Sequence, residues 1–297
     1  MAQYPPLSVD APPVDAATPA GLFTVARIIQ GPDLPDDGNG TRWEAGVQYQ
    51  IETCADVSGW AEQCPPTDPV DKTFDLRFPT VTGTPFIAYL GIDCPLVGYS
   101  LDEFETSVRN GFLANEVRLV ERAFWSGEFG NSPSLAGSIA TPSNCVNLTP
   151  GDTDFGGGTA MTIVGGVSAL EDYLGANYGG VGIIHSPRGV APFAARDMQI
   201  ERSGARLTTA LGTRWAFGGG YTINTGPNGV VAPAGEAWLY ATGAVTIYRS
   251  DVFVNPNDLR AAFDTRTNQV EILAERKYVI TRECVCAAVR VRVGCSC

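Results

Sequence analysis

Four cysteines fall at the end of the chain, as Cys284-x-Cys286 and Cys295-x-Cys297, and clustered thiols are the side chains here best suited to hold a metal ion. The common zinc knuckle separates its paired cysteines by two residues. These pairs are separated by one, and no histidine lies nearby. Read as a strand, the run "CVCAAVRVRV" places Val285, Ala287, Val289 and Val291 on one face. Cys286, Ala288, Arg290 and Arg292 fall on the other. Alternation alone therefore gives two thiols on one side, and no metal is expected. The chain opens without a basic start or a continuous apolar core, so no secretory signal is expected and reduced thiols are the default. A bond between Cys295 and Cys297 would be strained. Cys54 and Cys64 are the better-placed pair if oxidation occurs.

The other chemistry-bearing residues reduce to structural roles. His185 is the only histidine, and Ser186 beside it points to the opposite face of a strand, so the two cannot form a nucleophile–base pair. "GDTDFGGG" and "DLPDDGNGT" space carboxylates and glycines as calcium loops do, but lack the later acidic ligand. "AFGGGYT" lacks the Gly-Lys-Ser/Thr ending of a phosphate loop. No catalytic residue, cofactor or metal site is expected.

The elements that would position such residues belong to a chain of unusual balance. Only 18% of its 297 residues are charged and 44% are hydrophobic, with 34 glycines and 21 prolines. That suits a subunit whose faces are covered by neighbours. Twenty basic against thirty-two acidic side chains give a net charge of -12, which opposes binding to nucleic acid by phosphate neutralisation. No stretch is long and apolar enough to span a membrane, so no membrane partner is expected.

The first forty residues, rich in proline and alanine, read as an extended arm. "FTVARIIQG" reads as a short strand or helix. Strands are expected at 43–54 and 72–81, joined by the Pro-rich "ADVSGWAEQCPPTDPVD" into a long projecting hairpin, and at 86–93. Ser100 and Glu103 form a capping box. Beyond them Leu101, Phe104, Val108, Phe112, Leu113, Val117, Val120 and Phe124 recur at helical spacing, predicting a spine helix over 100–126, roughly 37 Å long. A second helix is expected at 159–177, with Ile163, Val167, Leu170 and Leu174 on one face. "VGIIHSP" reads as a buried strand and "RGVAPFAARDM" as a helix. Strands follow at 236–241 and 244–254, and two long ones, "QVEILAERKYVI" and "CVCAAVRVRV", close the chain.

This order of arm, hairpin, strand, spine helix, α/β insertion and returning strands resembles the major capsid protein of tailed bacteriophages, an HK97-like fold that encapsulins share. "GIIHSPRGVAPFA", "WLYATGAVTIYRSDVFV" and "AERKYVITREC" look like the corresponding stretches of that family. The resemblance implies an α+β, HK97-like capsid fold. Its parts would be an N-terminal arm at 1–40, an E-loop hairpin at 41–85 and the first part of a P-domain at 86–151. An A-domain would follow at 152–264, with P-domain C-terminal strands at 265–297. It further implies a non-enzymatic subunit of an icosahedral head shell enclosing double-stranded DNA without sequence-specific binding. Such a subunit would assemble in the host cytoplasm with copies of itself, in hexamers and pentamers, and would form the virion capsid. Scaffolding, portal and possible cement proteins would be separate partners. The alternatives are an encapsulin-type compartment subunit or a zinc-binding module using the C-terminal cysteines. Candidate contacts between subunits are Trp43, Trp60, Lys72, Phe74, Arg77 and Trp215. Some relatives weld neighbours through a hairpin lysine. Only Lys72 could serve here, no partner asparagine is evident, and crosslinking is not expected.

Overall fold

The stretch that reads equally as helix or strand is both: Leu22–Val25 form one helical turn (α1) and Arg27–Gln30 a strand (β1). The structure is a computed structural model describing residues 20–35, 42–51, 79–95, 101–137, 143–151, 158–256, 263–264, 266 and 269–294. Arg42–Ala45 make a 3-10 turn where a strand is predicted. Only then do β2 (Val47–Gln50) and β3 (Thr80–Gly83) pair antiparallel as the base of the hairpin. Residues 52–78, with Cys54 and Cys64, lie outside the described residues. Thr84 alone separates β3 from β4 (Pro85–Pro95).

The spine helix, α2, runs over Leu101–Ser126 and presents Phe104, Val108, Phe112, Val120 and Phe124 to the core. Leu113, predicted on that stripe, is 42% exposed, because the face shifts by one position there. Ala123, Phe124 and Trp125 are all fully buried, since the last turn is surrounded by protein. Gly127, at φ 74°, ends the helix in the left-handed conformation that glycine adopts without penalty.

Beyond it come β5 (Val146–Asn147) and α3 (Ile163–Asn177), whose Thr162 side chain accepts from the Gly165 amide at 3.1 Å as an N-cap. The four predicted residues of α3 are all buried. β6 (Ile183–Pro187), α4 (Ala191–Arg196), β7 (Glu201–Ser203), β8 (Arg206–Thr208), β9 (Arg214–Gly218) and β10 (Glu236–Thr242) follow. The strand predicted at 244–254 is broken into β11 (Val245–Arg249) and β12 (Phe253–Asn255). At the break Ser250 bonds Lys277 twice: its amide donates to the carbonyl, and its hydroxyl accepts from the amide, both at 3.1 Å. β13 (Phe263–Asp264), β14 (Gln269–Arg282) and β15 (Cys286–Arg292) complete the chain.

Two large sheets result. In the first, β14 pairs antiparallel with β4 on one side and with β11, β12 and β13 on the other, and β1 adds parallel to β11. The second has the order β5-β15-β10-β6-β9-β8-β7. Its central strands read as unbroken apolar runs because both faces are covered. Ile184, Trp215, Leu239, Ala287 and Val289 pack with α3 and α4. Ile183, Ala216, Trp238, Tyr240 and Ala288 share the other core with the end of α2.

The two final strands are neighbours in sequence but not a hairpin: β14 lies in the first sheet and β15 in the second. β11, β12 and β13, predicted within the 152–264 insertion, pair in the first sheet with the strands that flank it. The chain crosses between them at Gly243 and again at residues 283–285. Glu283 donates its amide to Ala244 (3.0 Å), and a Cβ on Gly243 would lie 2.6 Å from that of Glu283. Only glycine allows the two crossings to touch.

Candidate functional site

His185 sits on β6 with no exposed surface. Thr242 donates its hydroxyl proton to the Gly243 carbonyl (2.9 Å), so its oxygen accepts from His185 Nε2–H (2.9 Å). Nδ1 then accepts from the Tyr221 hydroxyl at 3.2 Å. Burial, reinforced by the Arg282 charge, holds the imidazole pKa down at about 3, so the ring is neutral. Ser186 is fully buried and donates to the Pro187 carbonyl. The pair is packing, not an active centre.

The thiols differ from expectation. Cys286 is bonded to Cys145, 141 residues earlier and with Cα atoms 4.5 Å apart, and Cys284 is also in a disulfide. Cys284 and Cys286 do not share a face, because the crossing between sheets interrupts the alternation just before Cys286. Cys145 gave no local signal in sequence. Among the described residues no cluster of His, Cys, Asp and Glu could hold a metal ion.

What the structure concentrates instead is a buried polar frame around the spine helix. Glu116 on α2 accepts from Arg276 Nη1 at 2.7 Å and from the Tyr278 hydroxyl, both on β14, and from Arg249 Nη1 on β11 at 3.4 Å. Burial and the neighbouring carboxylate push the Tyr278 phenol upward, so it stays a donor. Arg249 Nε in turn donates to Gln30 on β1 (2.8 Å). One turn further on, the buried Glu121 accepts from the amides of Leu22 and Gly220, each at 2.9 Å. Burial outweighs those bonds and raises its pKa. Helix, first sheet, N-terminal turn and the loop after β9 are thus tied by two carboxylates.

That loop is the Gly218–Gly220 run, and close approach explains it. A Cβ at Gly220 would lie 2.1 Å from the Arg118 carbonyl oxygen and 2.7 Å from the Arg122 amide, both backbone of α2. Gly220→Ala is expected to destabilise the fold by about 3 kcal/mol or more in chemical denaturation. A loss below about 1 kcal/mol, the range of an ordinary surface change, would contradict this placement.

The hairpin base is seated on the outer face of β14. Tyr49 OH donates to the Arg282 carbonyl (2.5 Å) and accepts from its amide (3.2 Å). Lys277 pairs with Glu44, and a Cβ on Gly83 would lie 2.8 Å from Thr281 Cγ2. Farther along the same face the sheet is open. Tyr89, Glu275 and Phe253 align across three strands, with Tyr89 68% and Phe253 53% exposed. Beside them a cleft of about 360 Å³ is lined by Gly91, Asp93, Asn255, Pro256, Glu271 and Leu273. Met198, just before β7, and Leu211, between β8 and β9, are also exposed.

Of the six candidate contact residues, two belong to the chain's own interior. Trp215 is fully buried, stacked on Phe217 at 4.9 Å, with Nε1 donating to the Gln199 carbonyl (3.0 Å). Trp43 is 4% exposed within its 3-10 turn. Neither side chain presents a surface to a neighbour. Large aromatic residues bury so much area in a core that exposure cannot be read from type alone. Trp60, Lys72, Phe74 and Arg77 lie outside the described residues.

A sheet wrapped on a spine helix, a second sheet buried on both faces, and a two-stranded hairpin base seated on the first define the HK97-like capsid fold, an α+β architecture. The solved structures it resembles bear this out. The chain is similar to the capsid of an empty GTA particle (TM-score 0.56, 14% identity, 97% of this chain and 95% of that one). It is similar to a protein of Microbacterium phage Oxtober96 (0.52, 11%, 98% and 96%) and to the SrpI encapsulin of Synechococcus elongatus (0.52, 11%, 97% and 93%). No family model matches the chain, and no curated protein matches it in sequence.

Proposed function

We propose that the chain is the structural subunit of a closed protein shell, the head of a tailed bacteriophage enclosing double-stranded DNA. The observation that carries this reading is the extent of the likeness. The fold is shared with phage and GTA capsids over nearly the whole of both chains. In such a shell the arm (1–40) and the E-loop hairpin (41–85) reach over neighbours. P-domain (86–151 and 265–297) and A-domain (152–264) segments tile the surface in hexamers and pentamers. Trp60, Lys72, Phe74 and Arg77, on the hairpin beyond its seated base, are the contact residues proposed. Heterologous contacts of this kind close into rings and containers, and many modest ones act together. The net charge of -12 keeps packaged DNA from adhering to the wall. The reading includes no catalytic step. It places the chain in the virion after assembly in the host cytoplasm, with separate scaffolding and portal proteins and possible cement proteins.

The likeness to the SrpI encapsulin favours a second reading, a compartment that encloses protein rather than DNA. Expression of the chain followed by light scattering and negative-stain microscopy is expected to show megadalton closed particles. A persistent small monomer under assembly conditions would contradict both readings. A specific co-purifying protein inside the particles would favour the compartment.

A further inference from the structure

We propose that the Cys145–Cys286 disulfide is a redox-operated lock on the crossing between the two sheets, and that when closed it also steadies the paired strands β2 and β3. Both sulfurs are buried: Cys145 is 4% exposed and Cys286 2%. The Cα separation of 4.5 Å lies inside the range that disulfides span without moving the backbone.

The bond staples the short edge strand β5 to β15, beside which it pairs in parallel over only Val146–Asn147. Residues 143–147 lead into β5, a two-residue strand at the edge of the second sheet. The Ser143 amide donates to Pro227 and the Leu148 amide to Ala288. Next to Cys145, Asn144 Oδ1 accepts from Arg282 Nη2. Arg282 is buried and makes no ion pair among the described residues. Its guanidinium depends on Asn144 and on the Glu283 carbonyl (3.4 Å), and its Nε has no partner. The backbone of that same arginine is the double hydrogen-bond partner of Tyr49 on β2. A continuous chain of contacts therefore runs from the disulfide through Asn144 and Arg282 to the hairpin base. Opening the disulfide lets the weak edge lift, removes the support for the Arg282 charge and loosens Tyr49.

Closing is a thiol–disulfide exchange. Two cysteine thiols and one small-molecule disulfide, such as oxidised glutathione, give the protein disulfide and two glutathione thiols. Two electrons and two protons pass to glutathione. A dithiol such as dithiothreitol reverses it and leaves as its own cyclic disulfide. Because an attacking thiolate must reach a buried sulfur, a folded chain is expected to resist opening.

The full chain, treated with oxidised glutathione, is then exposed to dithiothreitol in native buffer or in urea. Free thiols are blocked with N-ethylmaleimide, and the chain is followed by peptide mapping and hydrogen exchange. A linked Cys145–Cys286 peptide is expected, opened far more slowly in native buffer than in urea. In the opened chain, amides of 144–149, 282–286 and 47–50 should exchange roughly tenfold faster or more, the effect of losing one charge-assisted hydrogen bond. Cys145→Ser supplies an open form that leaves the Cys284 bond intact. If it does not fold, the reduced and blocked wild-type chain takes its place. Alkylation of both cysteines after oxidation would overturn the proposal, as would unchanged exchange at 47–50 on opening. Neither readout depends on whether the chain builds a shell.

Discussion

Glu116→Ala is expected to cost roughly 3–5 kcal/mol of folding stability in urea denaturation of the unassembled chain, the loss typical of breaking a buried ion pair from one side. The carboxylate is the shared acceptor for Arg276, Tyr278 and Arg249, and Arg276 is only 5% exposed. Truncating Glu116 strands that guanidinium in the core, where its Nε already lacks a partner. Replacing both charges, as Glu116→Leu with Arg276→Met, is expected to recover much of the loss, because the buried guanidinium is removed together with its partner. A Glu116→Ala variant within about 1 kcal/mol of wild type would show that the frame carries no weight.

The second large effect is on pH dependence. His185 takes up a proton near pH 6.5 in the unfolded chain but only at about pH 3 in the folded one. Between those values the unfolded state binds more protons, so stability falls as pH falls through that window. The slope from this group approaches about 1.4 kcal/mol per pH unit, several kcal/mol in all. Glu121 acts the opposite way. Its pKa is raised in the fold, so it favours folding as pH falls into the carboxylate range. Stability measured at intervals from pH 7 to 4.5 should therefore decline in wild type, and His185→Gln should remove most of that decline. An identical slope in both would place the acid sensitivity elsewhere.

The elements carried by local pattern were legible in the sequence. The spine helix begins at Leu101 and ends at Ser126, against an expected 100–126, because its stripe and its terminating glycine are local signals. The same holds for α3, whose four apolar residues are all buried. What sequence could not show depends on partners far along the chain. Nothing local marks Glu116, since Arg276 lies 160 residues away. Cys286 reads as a free strand thiol, since nothing near it announces Cys145. That β14 and β15 belong to different sheets is not visible locally, because a crossing between sheets and a tight turn look alike in sequence. The break at Ser250 is likewise imposed by the neighbouring strand. Trp215 and Trp43 were candidate contacts by residue type, and packing placed both inside.

On the proposed function, residues 52–78, between β2 and β3, contact a sister subunit. Electron cryomicroscopy of assembled particles tests it most directly. Density for residues 52–78 lying across an adjacent copy, within a closed shell, is the expected result. The same residues folded against their own chain, with no contact to any other copy, would contradict it.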